Sequence, residues 1–291
     1  MIRAFFLGLS SQVREGGGWI SGRGEESMNM IVCVKRVPDT AESEVHIDAS
    51  GRDIDKSRLS FGINECDNYA VEEAIQIKEK LGGKVTVISL GGKENDEVIR
   101  MALAKGGDDA IRLDDPAFAG SDGFAVAKAL AAAIKDLEYD IVFTGALADD
   151  DGYAVVPVAL AELLGVPHAT YVKDLEILED GKKARVGREL EGGLMEYLEI
   201  ELPCVLGIQT GINEPRYASF KGIKQAAKKE IVVKSAADLG LDPSEVGEAG
   251  SWAVLEKFSV PEVGEMAEIL EGDPEETAAK LAQILKEKGL I

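Results

Sequence analysis

The chain has 291 residues, and its 53 Asp and Glu outnumber 32 Lys and Arg, leaving a formal charge of −21. It is 45% hydrophobic and 29% charged, the profile of a soluble globular protein with one large or two modest domains. No run of about 18 apolar residues occurs, which excludes a membrane span, and the acidity argues against nucleic acid, whose phosphates need clustered Lys and Arg.

Residues 1–27 stand apart. Arg3, Arg14 and Arg23 balance Glu15, Glu25 and Glu26, so the negative charge lies downstream. The apolar stretch from Ile2 to Leu9 is too short for an anchor, and the three acids speak against a transit peptide. The segment reads as a disordered extension, or as sequence preceding a true start at Met28 or Met30.

From Met30 onward strands and helices alternate. Residues 30–37 form one continuous apolar, β-branched run ending at Pro38, the pattern of a buried parallel strand. Residues 67–81 place Ala70, Ala74, Ile75, Ile77 and Leu81 at helical spacing and stop at Gly82 and Gly83. Residues 84–92 are the next strand, and 94–106 a helix with Val98, Met101, Ala102 and Ala104 inward. Residues 110–113 are a short strand, followed by an Ala-rich helix over 122–137. A strand starting at Asp140 runs into a loop ending at Gly152. The helix after it, 153–165, carries Pro157 in its first turns, where proline is tolerated. This alternation with short connections predicts an α/β fold with a doubly wound parallel sheet.

After Gly165 the pattern changes. Two alternating runs flank Asp180-Gly181, a hairpin signal, and residues 195–209 continue the β-structure with a break at Pro203. Antiparallel strands are thus appended to the α/β core. Between Arg216 and Lys234 stand six bases (Arg216, Lys221, Lys224, Lys228, Lys229 and Lys234) against Glu230 alone. From Ala236 to Ile291 there are 13 acids and 4 bases, with a helix over 274–289. A local reversal of charge sign marks a partner surface, with solvated lysines on one helix face as the plainer alternative. The expected organisation is an extension at 1–27, an α/β domain at 28–235 with a partner loop at 211–230, and a C-terminal helical arm at 236–291.

Residues suited to acid-base or nucleophilic catalysis are sparse. Cys33, Cys66 and Cys204 are widely separated with no CxxC, which reads as reduced thiols of a cytosolic protein. His46 and His168 have neither zinc-site spacing nor a GxSxG partner, so no catalytic residue and no metal centre is assigned. In an open doubly wound sheet the ligand sits beyond the carboxyl ends of the strands. That selects the loops at 37–40, 90–93 and 145–153, none of which carries GxGxxG or a P-loop. Asp149, Asp150 and Asp151 offer oxygens to a divalent metal or to ribose hydroxyls, and equally suit capping of the following helix.

Five ordered segments resemble the β subunit of electron transfer flavoprotein (ETF). They are VCVKRVPD from Val32, AVEEAIQIKEK from Ala70, ISLGG from Ile88, VGRELEGGLMEYLEIELPCV from Val186, and NEPRYASFKGIKQAAKK from Asn213. The likeness covers essentially Met30 to Ile291. The resemblance implies a sheet similar to adenine-nucleotide α-hydrolase-like folds, and an electron carrier rather than an enzyme, with the redox chemistry supplied by flavin. It implies a heterodimer with an ETF α subunit that holds most of a shared FAD. This chain would bury an AMP or, in bifurcating relatives, a second FAD. Electrons would arrive from flavin dehydrogenases such as acyl-CoA dehydrogenases and leave toward an ETF-quinone oxidoreductase or another acceptor.

By the same resemblance the nucleotide contacts Cys33, the segment Asn64, Glu65, Cys66 and Asp67, the turn at Leu90, and the loop residues Gly145, Ala148, Asp149, Asp150, Asp151 and Gly152. Leu147 and Val155 stand where the family commonly has Gln, Pro157 where it has Gly, and Glu65 where it has Pro. These departures remove amide donors to base or phosphate. Pro215, Arg216, Tyr217, Phe220, Lys221 and Lys224 resemble the family's recognition loop, Phe220 taking the place of an exposed apolar anchor among steering charges. Packing of Phe220 into the protein's own core or against the α subunit is the alternative. Other readings are a nucleotide-binding or adenylating enzyme of the same fold, or a heterodimer partner with a vacated site. A prokaryotic cytoplasm is the expected location, ahead of a mitochondrial matrix.

Overall fold

The computed structural model describes residues 27–40, 44–178, 181–261, 264 and 267–291. The extension, apart from Ser27, and Asp180 of the hairpin turn lie outside the described residues. The chain divides into two compact units, Met1–Val45 with Lys56–Leu255, and His46–Asp55 with Glu256–Ile291.

The first unit is built on a nine-stranded sheet. In spatial order its strands are β11 (Val232–Lys234), β5 (Asp109–Leu113), β4 (Gly83–Leu90), β1 (Met28–Cys33), β6 (Ile141–Gly145), β10 (Cys204–Ile208), β7 (His168–Ile177), β8 (Lys183–Leu190) and β9 (Leu194–Glu201). Every pair from β11 to β7 is parallel, and β7–β8 and β8–β9 are antiparallel. The doubly wound parallel sheet and the antiparallel extension are both present. The chain fills one side of β1 with β4 and β5, then crosses to place β6 on the other side. The switch point therefore lies between β1 and β6.

Side-chain alternation along β1 shows why both faces are covered. Met30 and Val32 enter one core with residues of α1 (Glu65–Leu81), α2 (Asp96–Lys105) and α5 (Phe220–Ala226), whereas Ile31 and Cys33 enter a second with α3 (Gly123–Ile134) and α4 (Val156–Leu164). Each fully buried aliphatic such as Ile31 contributes about 1.5–3 kcal/mol. Helix α1 stops where Gly82 adopts φ +76°, its amide bonding the Lys78 carbonyl.

Three sequence expectations are corrected. The run over 30–37 is two strands, β1 and β2 (Arg36–Pro38), the latter pairing antiparallel with β3 (Phe61–Ile63). The break falls at Lys35, whose amide leaves the ladder for Asp67 Oδ2 at 2.7 Å. Second, β10 belongs to the parallel core, between β6 and β7, and all five of its residues are buried, as a strand covered on both faces requires. Third, Leu81 and Met101 are exposed, while Ile99 and Leu103 fill the space beside Val98 and Ala102.

Residues 236–255 belong to this first unit: Ala236, Leu239 and Val246 enter the α3–α4 core, and α6 (Gly247–Gly250) is a single helical turn. The second unit contains the Ile47–Ile54 bridge, a bond from the Phe258 amide to the Gly51 carbonyl at 2.7 Å, and α7 (Pro274–Glu287). Asp273 caps α7 by accepting the Glu276 amide at 2.9 Å, and none of the helix's side chains is buried. No described helix is long and apolar enough to cross a membrane.

Candidate functional site

A cavity of about 330 Å³ opens at the switch point, bounded by the carboxyl ends of β1, β4 and β6 and the first turns of α3 and α4. Cys33, Asn64, Asp67, Leu90, Gly145, Ala148 and Asp151 line it, whereas Glu65, Cys66, Asp149, Asp150 and Gly152 do not. Lys35 also lines the cavity, and the sequence reading passed over it.

The loop after β6 is stitched to the start of α1. Asn64 Nδ2 donates to the Leu147 carbonyl at 2.9 Å, the Asp149 amide donates to Asn64 Oδ1 at 2.9 Å, and Asp149 Oδ2 accepts the Glu65 amide at 2.9 Å. Asp149 thus satisfies the first amide of α1, whose own N-cap side chain makes no capping bond. Asp150 and Asp151 both take Lys35 Nζ, at 2.6 and 2.8 Å. Burial alone would lower the Lys35 pKa, but these two carboxylates outweigh it and raise it. The three aspartates therefore divide among neighbouring elements. They do not cap α4, whose N-cap is Val155, and among the described residues no set of three His, Cys, Asp or Glu could hold a metal ion.

Asp67 lies at the bottom of this arrangement. Its two oxygens accept the amides of Lys35 at 2.7 Å and Gly145 at 2.8 Å. Burial drives its pKa up to about 7, against the two amides, the Asn64 side chain and the Lys35 charge, which pull it down. Burial, and then the Asp67 charge, push the Cys33 thiol far up, so that it is a neutral wall rather than a nucleophile.

A second group of lining residues comes from the loop before α3: Phe118, Ser121, Asp122 and Gly123, with Val126 and Leu130 on the helix. Asp122 caps α3 through Oδ1, accepting the Ala125 amide at 2.8 Å, and holds the amides of Trp252 and Ala253 through Oδ2 at 2.9 and 3.0 Å. Burial opposes its charge, but these amides prevail and hold its pKa below the usual carboxylate value. The local signal was legible as Asp-Gly before an Ala-rich helix. Its place in the cavity was not, because only the sheet order brings α3 beside α4.

The donor set fits a small nucleotide. Ile88, Leu90, Phe118, Val126 and Leu130 give an apolar wall for a flat base, and Asp122 and Asp151 are acceptors for sugar hydroxyls. The N-terminus of α4 borders the cavity with no side chain capping it, an arrangement that suits a phosphate even though Pro157 removes one amide. The volume lies at the lower end of the roughly 300–1,000 Å³ of small-molecule sites.

On the same unit, Phe220 is 75% and Tyr217 98% exposed. Ser219 caps α5 by accepting the Gly222 amide at 3.0 Å, and Lys224 Nζ sits 4.4 Å from the Phe220 ring centroid. Gly222 has no room for a side chain: a Cβ there would lie 2.2 Å from the Ala104 carbonyl, so glycine lets α5 lie on α2. Arg216 is engaged at the base of the loop by Glu72 and Glu79.

A family model described as the electron transfer flavoprotein domain matches residues 53–239. The electron transfer flavoprotein β subunit of Methylophilus methylotrophus is 42% identical over 262 residues, covering 89% of this chain and 98% of its own length. This chain belongs to the electron transfer flavoprotein β-subunit family. The CarD subunit of the caffeyl-CoA reductase-Etf complex of Acetobacterium woodii is 38% identical over 267 residues, 91% of this chain and all of its own. Protein FixA of Azotobacter vinelandii is 35% identical over 268 residues, 88% and 94% of the two chains. Membership makes the chain an electron-transfer subunit that works with flavin, not a classical enzyme.

Proposed function

We propose that this ETF β subunit pairs with an α subunit, completes the site of a shared FAD, and buries one AMP in the cavity between the ends of β1 and β6. Electrons enter from flavin dehydrogenases such as acyl-CoA dehydrogenases and leave to an ETF-quinone oxidoreductase or another acceptor, in the cytoplasm. The bound flavin supplies the redox chemistry; this chain supplies docking, orientation and a fixed scaffold. The observation that carries the nucleotide reading is the small cavity at the switch point, apolar on one wall and bordered by the uncapped start of α4.

Pro215, Arg216, Tyr217, Phe220, Lys221 and Lys224 form the dehydrogenase-facing surface. An exposed aromatic anchor stands among cations on a protein whose overall charge is −21, so partner encounter is steered to this window. Helix α7, with no buried side chain and exposed Leu281, is the part of the C-terminal arm that packs on the α subunit.

The experiment is co-expression with an α subunit, followed by mixing the purified heterodimer with a reduced flavin dehydrogenase. Rapid bleaching of the heterodimer's flavin absorbance, reversed by a quinone-reducing acceptor, is the expected result. A stable heterodimer that carries flavin but exchanges electrons with no flavin dehydrogenase would overturn the carrier assignment.

A further inference from the structure

We propose that the Asp67 carboxylate is the positioning group of the cavity, one oxygen holding the end of β1 and the other the end of β6. The proposal rests on the reading of this cavity as the nucleotide site. The ladder between these two strands runs from Met30–Ile141 through Ile31–Val142 and ends at Val32–Phe143. Beyond it the strands must part to admit a ligand. There the Lys35 amide turns to Asp67 Oδ2 at 2.7 Å and the Gly145 amide to Asp67 Oδ1 at 2.8 Å. A side chain from the first turn of α1 takes over where backbone pairing stops. The fit is closed from above as well, because a Cβ on Gly145 would lie 2.4 Å from Asp67 Oδ1.

Among the described residues, the groups facing Asp67 include no cation dedicated to it. Lys35, just after β1, is the cation whose charge pulls the Asp67 pKa down, and its Nζ is bound by Asp150 and Asp151. Cys33 on β1 and Cys66 on α1 are both held neutral, mainly by burial. Strand β6 presents Thr144 and Gly145, neither of them titratable in this range. Burial accordingly places the Asp67 titration at about 7. The ionised form accepts strongly from both amides, whereas protonation turns one oxygen into a hydroxyl, a poorer acceptor, and the hold on one strand end weakens. Because the folded value is raised above the unfolded one, ionisation costs folding stability as pH rises from about 4 to about 7. Asp67 is therefore kept for geometry, at some expense in stability, and the two effects are separable.

The test uses the α/β heterodimer loaded with labelled AMP. Its dissociation is followed by chase with unlabelled AMP from about pH 5.5 to about 8.5, for the wild type and Asp67→Asn. Hydrogen exchange of peptides containing Lys35 and Gly145, corrected for intrinsic pH dependence, is measured alongside. The wild type should lose AMP about tenfold faster below pH 7 than above it, the factor set by one hydrogen bond to a charged acceptor. Asp67→Asn should lose AMP quickly at every pH and deprotect one of the two amides, while unfolding at the same or higher temperature at pH 8. A pH-independent wild-type rate, or a variant with the wild-type profile, would overturn the proposal. If the heterodimer retains no AMP, the nucleotide reading fails on its own, and the exchange of the two amides still decides the clamp. If Asp67→Asn does not assemble, the wild-type profile decides it.

Discussion

The Arg216 guanidinium grips the buried carboxylate of Glu72 through Nε at 2.9 Å and Nη2 at 3.0 Å, and reaches the exposed Glu79 through Nη1 at 2.6 Å. Glu72 and Glu79 lie two turns apart on α1, so one planar fork bolts the partner loop to that helix. Four residues on, Phe220 stands in solvent beyond this anchored base. Arg216→Lys keeps the charge but loses the fork, and should lower stability by about 2 kcal/mol. Urea denaturation checks the loss of stability; the looser loop should also raise the KM for the dehydrogenase, read in steady-state electron transfer.

The same pair has a pH signature. Burial pushes Glu72 up, but its bonds to Arg216 prevail and its pKa is lowered. A carboxylate depressed by folding stabilises the native state above its unfolded pKa of about 4.3 and loses that contribution as pH falls below it. Acid titration of the wild type should therefore show a loss of stability below about pH 4. Glu72→Gln should reduce that loss; an unchanged acid limb would show the pair to be idle.

Phe220 gives the cleanest separation of docking from folding. Three-quarters of it is exposed, so Phe220→Ala should change stability by no more than about 0.5 kcal/mol and leave flavin content intact. Electron transfer from the dehydrogenase should weaken about tenfold or more, as for a truncated interface anchor. Loss of flavin together with coupling would make the residue structural.

Asp122 joins α3 to residues 252 and 253. Asp122→Ala removes the α3 cap and both amide bonds of Oδ2, at a cost of about 1–2 kcal/mol. Trp252 stacks on Phe124 with ring centroids 4.0 Å apart. Its fluorescence, read in a Trp19→Phe background, should report residues 252 and 253 leaving α3 in the Asp122→Ala variant.

How much was legible depended on whether the deciding contacts were local. The strand–helix alternation up to Gly165 was readable because apolar period and Gly stops are local signals. The break between β1 and β2 was not, because the apolar run continues through Val34 and only Asp67, 32 positions away, draws the Lys35 amide out of the ladder. Strand β10 follows an antiparallel strand in sequence, and only pairing with β6 reveals it as parallel. In the site, the loop residues could be named from the resemblance, but their roles could not. Asp149 was open between a ligand and a cap for α4; it does not cap α4, and its Oδ2 accepts the Glu65 amide at the start of α1. The hydrophobic wall from α3 carried no signal beyond that of an ordinary core helix.

We propose that this chain is the β half of a flavin carrier with a mononucleotide in its switch-point cavity. This is tested most directly by acid-releasing the small molecules from the purified α/β heterodimer and quantifying them by mass spectrometry against protein. Equal amounts of FAD and AMP are expected, one of each per heterodimer. Two FAD and no AMP, or a single FAD with no second nucleotide, would contradict it.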